Sequence, residues 1–267
     1  MGINRDNARQ AERKASAKRT AAKKKSGGML ESVKTIVYAA LIAIGIRTVL
    51  VEPFNIPSGS MIPTLLVGDY LFVSKFSYGY SRFSLPFSPP LFSGRIFGRL
   101  PARGDVAVFK LPRDTSTDYI KRVIGLPGDR IQMKVGQLYI NGTEVPRQAA
   151  GDCVIDERGI RTIERRYTET LPNGVKHFIC KSTDEGDANN TIEYVVPPDH
   201  FFAMGDNRDN SLDSRFMNGV GYVPLENLVG RAEFLFFSIN VPDDATWWAF
   251  WNWPGEIRWS RLFSAVR

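Results

Sequence analysis

Histidine and cysteine are scarce in this chain, with two of each among 267 residues. A Ser-His-Asp triad would have to use His177 or His200, and neither stands in a recognisable catalytic setting, so both read as surface or structural residues. Two His and two Cys at scattered spacing match no zinc pattern, and the residues imply no metal site. Two cysteines are also too few for a disulfide-stapled mini-domain. Net positive charge is missing from most of the chain: of the net +7, residues 1–28 contribute nine basic against two acidic residues, leaving 26 of each sign elsewhere. A body of zero formal charge has no basic field to attract phosphate, which argues against a nucleic-acid partner. With 43% apolar residues the chain can still bury one full core, which excludes collagen-like and disordered classes.

The basic tail has Arg13, Lys14, Lys18, Arg19 and Lys23 to Lys25 spaced by Ala and Ser, and almost nothing apolar to bury. Residues 1–32 therefore read as disordered or as a weak surface helix. One long apolar run follows, residues 33–51, VKTIVYAALIAIGIRTVLV, interrupted by Lys34 and Arg47 and ended by Glu52 and Pro53. Nineteen helical residues span about 28 Å, roughly one bilayer core. A buried soluble helix competes, because only residues 35–46 are free of charge. Lys34 and Arg47 can snorkel near the ends and the basic cluster lies on one side only, so the better reading is a single transmembrane anchor. That asymmetry holds the N-terminus in the cytoplasm and sends residues 52–267 across the membrane. A cleaved secretory signal fits poorly, since the tail is long and no small-residue cleavage site follows Val51.

Beyond the anchor the periodicity is two, in YLFVSKF from Tyr70, DVAVFKL from Asp105, DYIKRVIGL from Asp118, IQMKV from Ile131 and QLYI from Gln137. Asn141-Gly142 signals a tight hairpin, and Leu126-Pro127-Gly128-Asp129 a turn. Further strands are expected at HFIC from His177, IEYVV from Ile192, FFAM from Phe201 and RAEFLFFS from Arg231. The fold expected for residues 52–267 is mostly β and antiparallel, with a loop-rich insertion at about 143–190 that carries both cysteines.

Without a usable histidine, a nucleophile's base has to be another residue type, and lysine is available. FNIPSGSMIPTL, residues 54–65, sets two serines about Gly59 between Pro57 and Pro63, a loop able to hold a hydroxyl in one pose. YIKRVIGLPGD, residues 119–129, puts Lys121 inside an apolar strand on one face with Tyr119 and Val123. MGDNRDNSLDSR, residues 204–215, is a dense polar loop between hydrophobic strands. Each alone has a bland reading: a Pro/Ser loop, a strand-end lysine, an Asx-rich turn.

Together these segments, with GDYLFVSKFSYG, RGDVAVFKLP and GYVPLENLVGRAEF in order, resemble the type I signal peptidases, the membrane-bound Ser-Lys proteases that remove signal peptides from exported proteins. The likeness runs from about Glu52 to Phe237 and spares the insertion and the tail. It implies Ser60 as nucleophile and Lys121 as general base, with Ser58 and the Ser60 backbone N–H as oxyanion donors. It also implies Ser211, Asp213, Arg215 and Asp206 as supporting residues, and Ile56, Pro57 and Ile120 as substrate contacts. The expected enzyme needs no cofactor. It would act as a monomer on signal-peptide-bearing precursors with small residues one and three positions before the cut, at the bacterial inner membrane with its body on the periplasmic side.

Elementary chemistry supports the lysine. At its reference pKa of 10.4 an amine is neutral about 0.04% of the time at pH 7, and burial can lower that pKa by several units. Ser60 lies nine residues beyond Val51, at most about 30 Å of extended chain from the membrane boundary, where a protease meets chains emerging from the bilayer. Five Trp between Trp247 and Trp259, and Phe83, Phe87, Phe92 and Phe97, read either as a lipid-interface patch or as core. Pro254, Glu256, Arg258 and Arg261 argue against a second transmembrane helix there. Cys153 and Cys180 would share an oxidising compartment, which permits a disulfide but does not require one. Two rival functions remain open. A Ser-Lys self-cleaving repressor would need a DNA-binding helix where the anchor stands, and a silent membrane-tethered secretion module would not need Ser60 together with Lys121.

Overall fold

The structure is a computed structural model that describes residues 31–85, 88–157, 160–240 and 253–267. Two compact units divide between Arg47 and Thr48. The first contains most of the apolar helix α1, Glu31–Val49, whose side chains are largely exposed along its length. It ends two residues earlier than the hydropathy suggests, because Val51 already pairs with Ser74 in the first strand.

The described residues of the second unit form fourteen strands in three antiparallel sheets. In chain order these are β1 Val51–Asn55, β2 Asp69–Ser74, β3 Val106–Leu111, β4 Asp114–Gly125, β5 Arg130–Lys134, β6 Gln137–Ile140, β7 Thr143–Glu144, β8 Arg147–Glu157, β9 Ile160–Thr170, β10 Lys176–Lys181, β11 Tyr194–Val195, β12 His200–Met204, β13 Val223–Pro224 and β14 Leu228–Ser238. The main sheet has the order β1-β2-β14-β3-β4-β12-β13, the second β11-β5-β6-β7 and the third β10-β9-β8.

Local chemistry sets the corners. Asn141 and Gly142 both take positive φ, 55° and 78°, which the two-residue turn between β6 and β7 demands. After β4 the chain turns with Gly128 at φ 87°, and the Asp129 carboxylate accepts from the Leu126 amide and the Asn141 side chain. Strand β4 shows why period-two reading works here: its first half is exposed, while Val123, Ile124 and Gly125 are buried between β3 and β12. Val123 packs with Ala107, Phe109, Phe201 and Ala203, and Ile124 with Ile131, Leu138 and Phe202 on the other side.

The segment around 143–190 contributes β7 to the second sheet and the whole of the third, so much of it is long regular strand. Cys153 and Cys180 form a disulfide with a Cα–Cα separation of 5.9 Å. Of the aromatic residues left between two readings, Phe83 is core, Phe92 is half-buried and Phe97 is 82% exposed. Phe87, Trp247, Trp248 and Trp251 lie outside the described residues, and Trp259 is exposed.

Glu169 of β9 ties the third sheet to the polar loop 204–215 through a bidentate pair with Arg208, at 2.8 and 2.5 Å, with both side chains about 1% exposed. Burial pushes the Glu169 carboxyl up, but Arg208 and then His177 hold it well below the usual carboxylate range. Glu169→Ala strands a buried guanidinium, so it should destabilise the body by about 3–5 kcal/mol, whereas Glu169→Leu with Arg208→Met should cost far less. Urea unfolding of the two variants checks this; equal losses would remove the stranded charge as the cause.

Candidate active site

Ser60 sits in a single 3-10 turn, Gly59–Met61, just after β1. Its neighbours Gly59 and Met61 are buried while Ser60 is half-exposed, so the turn is anchored on both sides of the hydroxyl. The Ile56 amide donates to Asp69 O at 2.9 Å, and Met61 and Leu65 are sealed in the core cluster with Ile56. An Ile62–Pro63 cis peptide follows.

Lys121 reaches this turn from β4, opposite Ala107 of β3. Its Nζ lies 2.6 Å from Ser60 Oγ and donates to Ile120 O at 3.0 Å. The side chain is 3% exposed, and the Tyr119 ring lies 5.4 Å from Nζ. Burial lowers the amine from 10.5 to about 8, against the opposing pull of Asp213 and Asp206. Ser58 Oγ is 3.4 Å from Ser60 Oγ.

The loop 204–215 forms the back of the site. Arg215 makes paired contacts of 2.9 Å to both oxygens of Asp213, which also accepts from the Gly205 amide. Asp206 is held by Arg122 at 2.8 and 2.7 Å and by the Thr64 hydroxyl at 2.5 Å. Burial raises both carboxyls, and their arginines more than reverse it, so both stay below the usual range. Asn207 grips the Ser60 turn twice, its amide donating to Ser60 O and its side chain to Gly59 O, each at 3.1 Å. Gly205 is required by close approach, since a Cβ there would collide with Ser211 and with the Ser60 carbonyl.

Ser60, Lys121, Ser58, Asp206, Asp213 and Arg215 therefore share one neighbourhood. Ser211 joins them with a difference: its buried Oγ has no hydrogen-bond partner among the described residues, so it does not bond Lys121 here. Ile56 is buried, Ile120 is half-buried against the same cluster, and Pro57 is exposed beside them. The two histidines stand apart from the dyad: His200 Nδ1 contacts Pro198 O, and His177 is buried 3.3 Å from Glu169.

Residues 29–237 match the family model described as signal peptidase, peptidase S26. The chain belongs to that family. A signal peptidase I of Rickettsia typhi is 42% identical over 250 residues, covering 86% of this chain and 90% of that protein. One of Rickettsia conorii is 44% identical over 222 residues, 80% of each. A crystal structure of a signal peptidase I from Enterococcus faecalis is 25% identical, covering 50% of this chain and 97% of that one, with a TM-score of 0.29.

Within this S26 chain, sequence reasoning missed Arg122, Asn207, Arg208 and Glu169. Arg122 carried a signal: a second base directly after Lys121 points to the opposite face of an apolar strand and needs a buried acid, which Asp206 supplies. Glu169, in a segment of ordinary mixed charge, carried none.

The lowered amine has a stability consequence. Between its folded value near 8 and the unfolded value of 10.5, the unfolded chain binds more protons, so stability rises with pH across that window and the full penalty stands below it. Lys121→Met should therefore be more stable than the parent at pH 7 by up to about 3 kcal/mol, an advantage that disappears by about pH 10.5. Lys181, also lowered to about 8 by burial, is common to both chains and cancels. Urea titrations at the two pH values check this; a methionine variant less stable at pH 7 would make Lys121 a charged structural residue.

Proposed function

We propose that this chain is a membrane-anchored serine endopeptidase that removes N-terminal signal peptides from exported precursors, with Ser60 as nucleophile and Lys121 as general base. The observation that carries this reading is the 2.6 Å contact between Lys121 Nζ and Ser60 Oγ in a setting that lowers the amine to about 8. An amine of that strength is neutral about 10% of the time at pH 7, some 300-fold more than an ordinary lysine. A silent module would have no use for an amine held this way.

In the neutral state the Ser60 hydroxyl donates to Nζ, and Lys121 takes its proton as Oγ attacks the scissile carbonyl. The oxyanion of the tetrahedral intermediate is met by the Ser58 hydroxyl and the Ser60 N–H. Lys121 then gives the proton to the departing amine of the mature chain, leaving the signal peptide as an ester on Ser60. Water, deprotonated by the same amine, hydrolyses that ester. Asn207 holds the turn during both steps. Ile56 and Ile120, packed in one cluster beside the dyad, would form a shallow wall that admits only small side chains.

Helix α1 supplies the anchor, and the basic cluster in the tail favours an N-terminus in the cytoplasm with the body on the periplasmic side of the inner membrane. Leu91, Ile96, Phe97 and Leu100 are exposed on the loop before β3, and suit contact with a lipid interface. Arg95 fixes that loop, donating to the carbonyls of Tyr78 and Gly79 and to those of Leu225, Glu226 and Leu228. The enzyme is read as a monomer with no nucleic-acid partner.

Ser60→Ala is expected to abolish cleavage of a precursor carrying Ala-x-Ala before the cut, with the β circular dichroism unchanged. Ser58→Ala should lower kcat by about 10²–10³-fold with KM little changed. Substantial turnover by Ser60→Ala would sink the dyad. The soluble fragment should begin at Thr48 rather than after Val51, because Val49 O and Leu50 O accept from Tyr80 and Lys75 of the body. That fragment should fold and cleave, faster with detergent or lipid vesicles; indifference to both would remove the interfacial role of the loop.

A further inference from the structure

Along the outer edge of β10 the third sheet meets the loop 204–215, which in turn holds the Ser60 turn. Cys180 N–H donates to Asp206 O at 2.9 Å, and Cys180 O accepts from Arg208 N–H at 3.0 Å. This brackets Asn207, the residue whose amide and side chain hold Ser60 O and Gly59 O. A second route is apolar: Cys153, Ile155 and Cys180 pack with Ile62, whose own amide donates to Gly59 O. By both routes the Cys153–Cys180 bond thus lies two contacts from the backbone carbonyls of the Ser60 turn.

The bond also spans the sheet. Cys153 is on β8 and Cys180 on β10, the two outer strands, with β9 between them. In a flat sheet, strands two apart are separated by about 9.5 Å, too far for a disulfide. Here the two Cα atoms are 5.9 Å apart, and β8 slips register between Ala149 and Asp152, where Gly151 takes φ 95°. The sheet is therefore curled across β9, and the curl presents the outer edge of β10 to residues 206–208.

We propose that the Cys153–Cys180 disulfide is a positioning element for Ser60, and that full turnover requires the oxidised chain. The inference rests on the dyad reading above. Forming the bond removes two electrons and two protons from the thiols; a thiol–disulfide exchange oxidant accepts them and is reduced to two thiols. Until then no covalent bond holds β8 to β10, and the grip on the Ser60 turn loses that support.

The test uses the full chain in detergent, comparing the parent with Cys153→Ala/Cys180→Ala on the Ala-x-Ala precursor. Expected are a kcat lower by about 10–100-fold, KM within about twofold, and an unchanged β spectrum. Parent protein reduced with a dithiol and then reoxidised with a low-molecular-weight disulfide supplies a second measurement free of any sequence change. Its activity should fall on reduction and return in step with the loss of two titratable thiols. Undiminished kcat in the folded double variant, or in the reduced parent, overturns the proposal. If Ser60→Ala is inactive in the same assay, only the positioning role has failed; if Ser60→Ala still cleaves, the dyad reading has failed first.

Discussion

The site depends on one buried amine beside a hydroxyl being weakened by its surroundings, from 10.5 to about 8. Lys121 is almost fully enclosed, which disfavours the ammonium, yet Asp206 and Asp213 both pull its pKa back up. Two bare carboxylates at that range would pull the amine back toward its ordinary value, leaving less of the proposed base uncharged. Arg122 neutralises the first and Arg215 the second, each through two short charge-assisted bonds. The arginines act on the dyad through the acids they pair with, and the acids in turn orient the loop behind Ser60.

The same loop joins parts of the chain that are far apart in sequence. Asn207 reaches the turn at residue 60, Asp206 reaches Arg122 on β4, and Arg208 reaches Glu169 on β9. Asp209 accepts from the Ser182 and Thr183 amides and from Asn189. Consecutive side chains thus point to different elements, as an extended, irregular loop allows and a helix or strand does not. The close passage at Gly205 lets this loop lie against the Ser60 turn.

Much of this was legible in the sequence because it is local. Alternating apolar residues gave β3, β4, β5 and β6, and Asn141-Gly142 gave its hairpin, since each depends on neighbours in the chain. Ser60 and Lys121 stood out through motifs that combine several residues at fixed spacing. The Glu169–Arg208 pair, the edge contact of Cys180 with the loop, and the curl across β9 involve partners 26 to 39 residues apart with no marker on either side. Phe83 and Phe97 lie 14 residues apart in one aromatic-rich stretch, yet one is core and the other exposed, because the 3-10 turn at Arg82–Ser84 directs the first inward. Composition cannot see that turn.

The interior around the dyad is also expensive. Lys121, Arg122, Glu169, His177, Asp206, Asn207, Arg208, Asp213 and Arg215 are all buried, where a stability-optimised core would hold apolar residues of similar volume. Buried ion pairs seldom repay their desolvation against such a core. Their clustering on one loop and the strands facing it, while Val123, Ile124, Phe201 and Phe202 fill the same strands a few residues away, locates the cost at the site. What the cost provides is a fixed electrostatic setting. The carboxylates are charged and held, the arginines saturated, and Lys121, the amine beside the serine, has no carboxylate within ion-pair distance among the described residues.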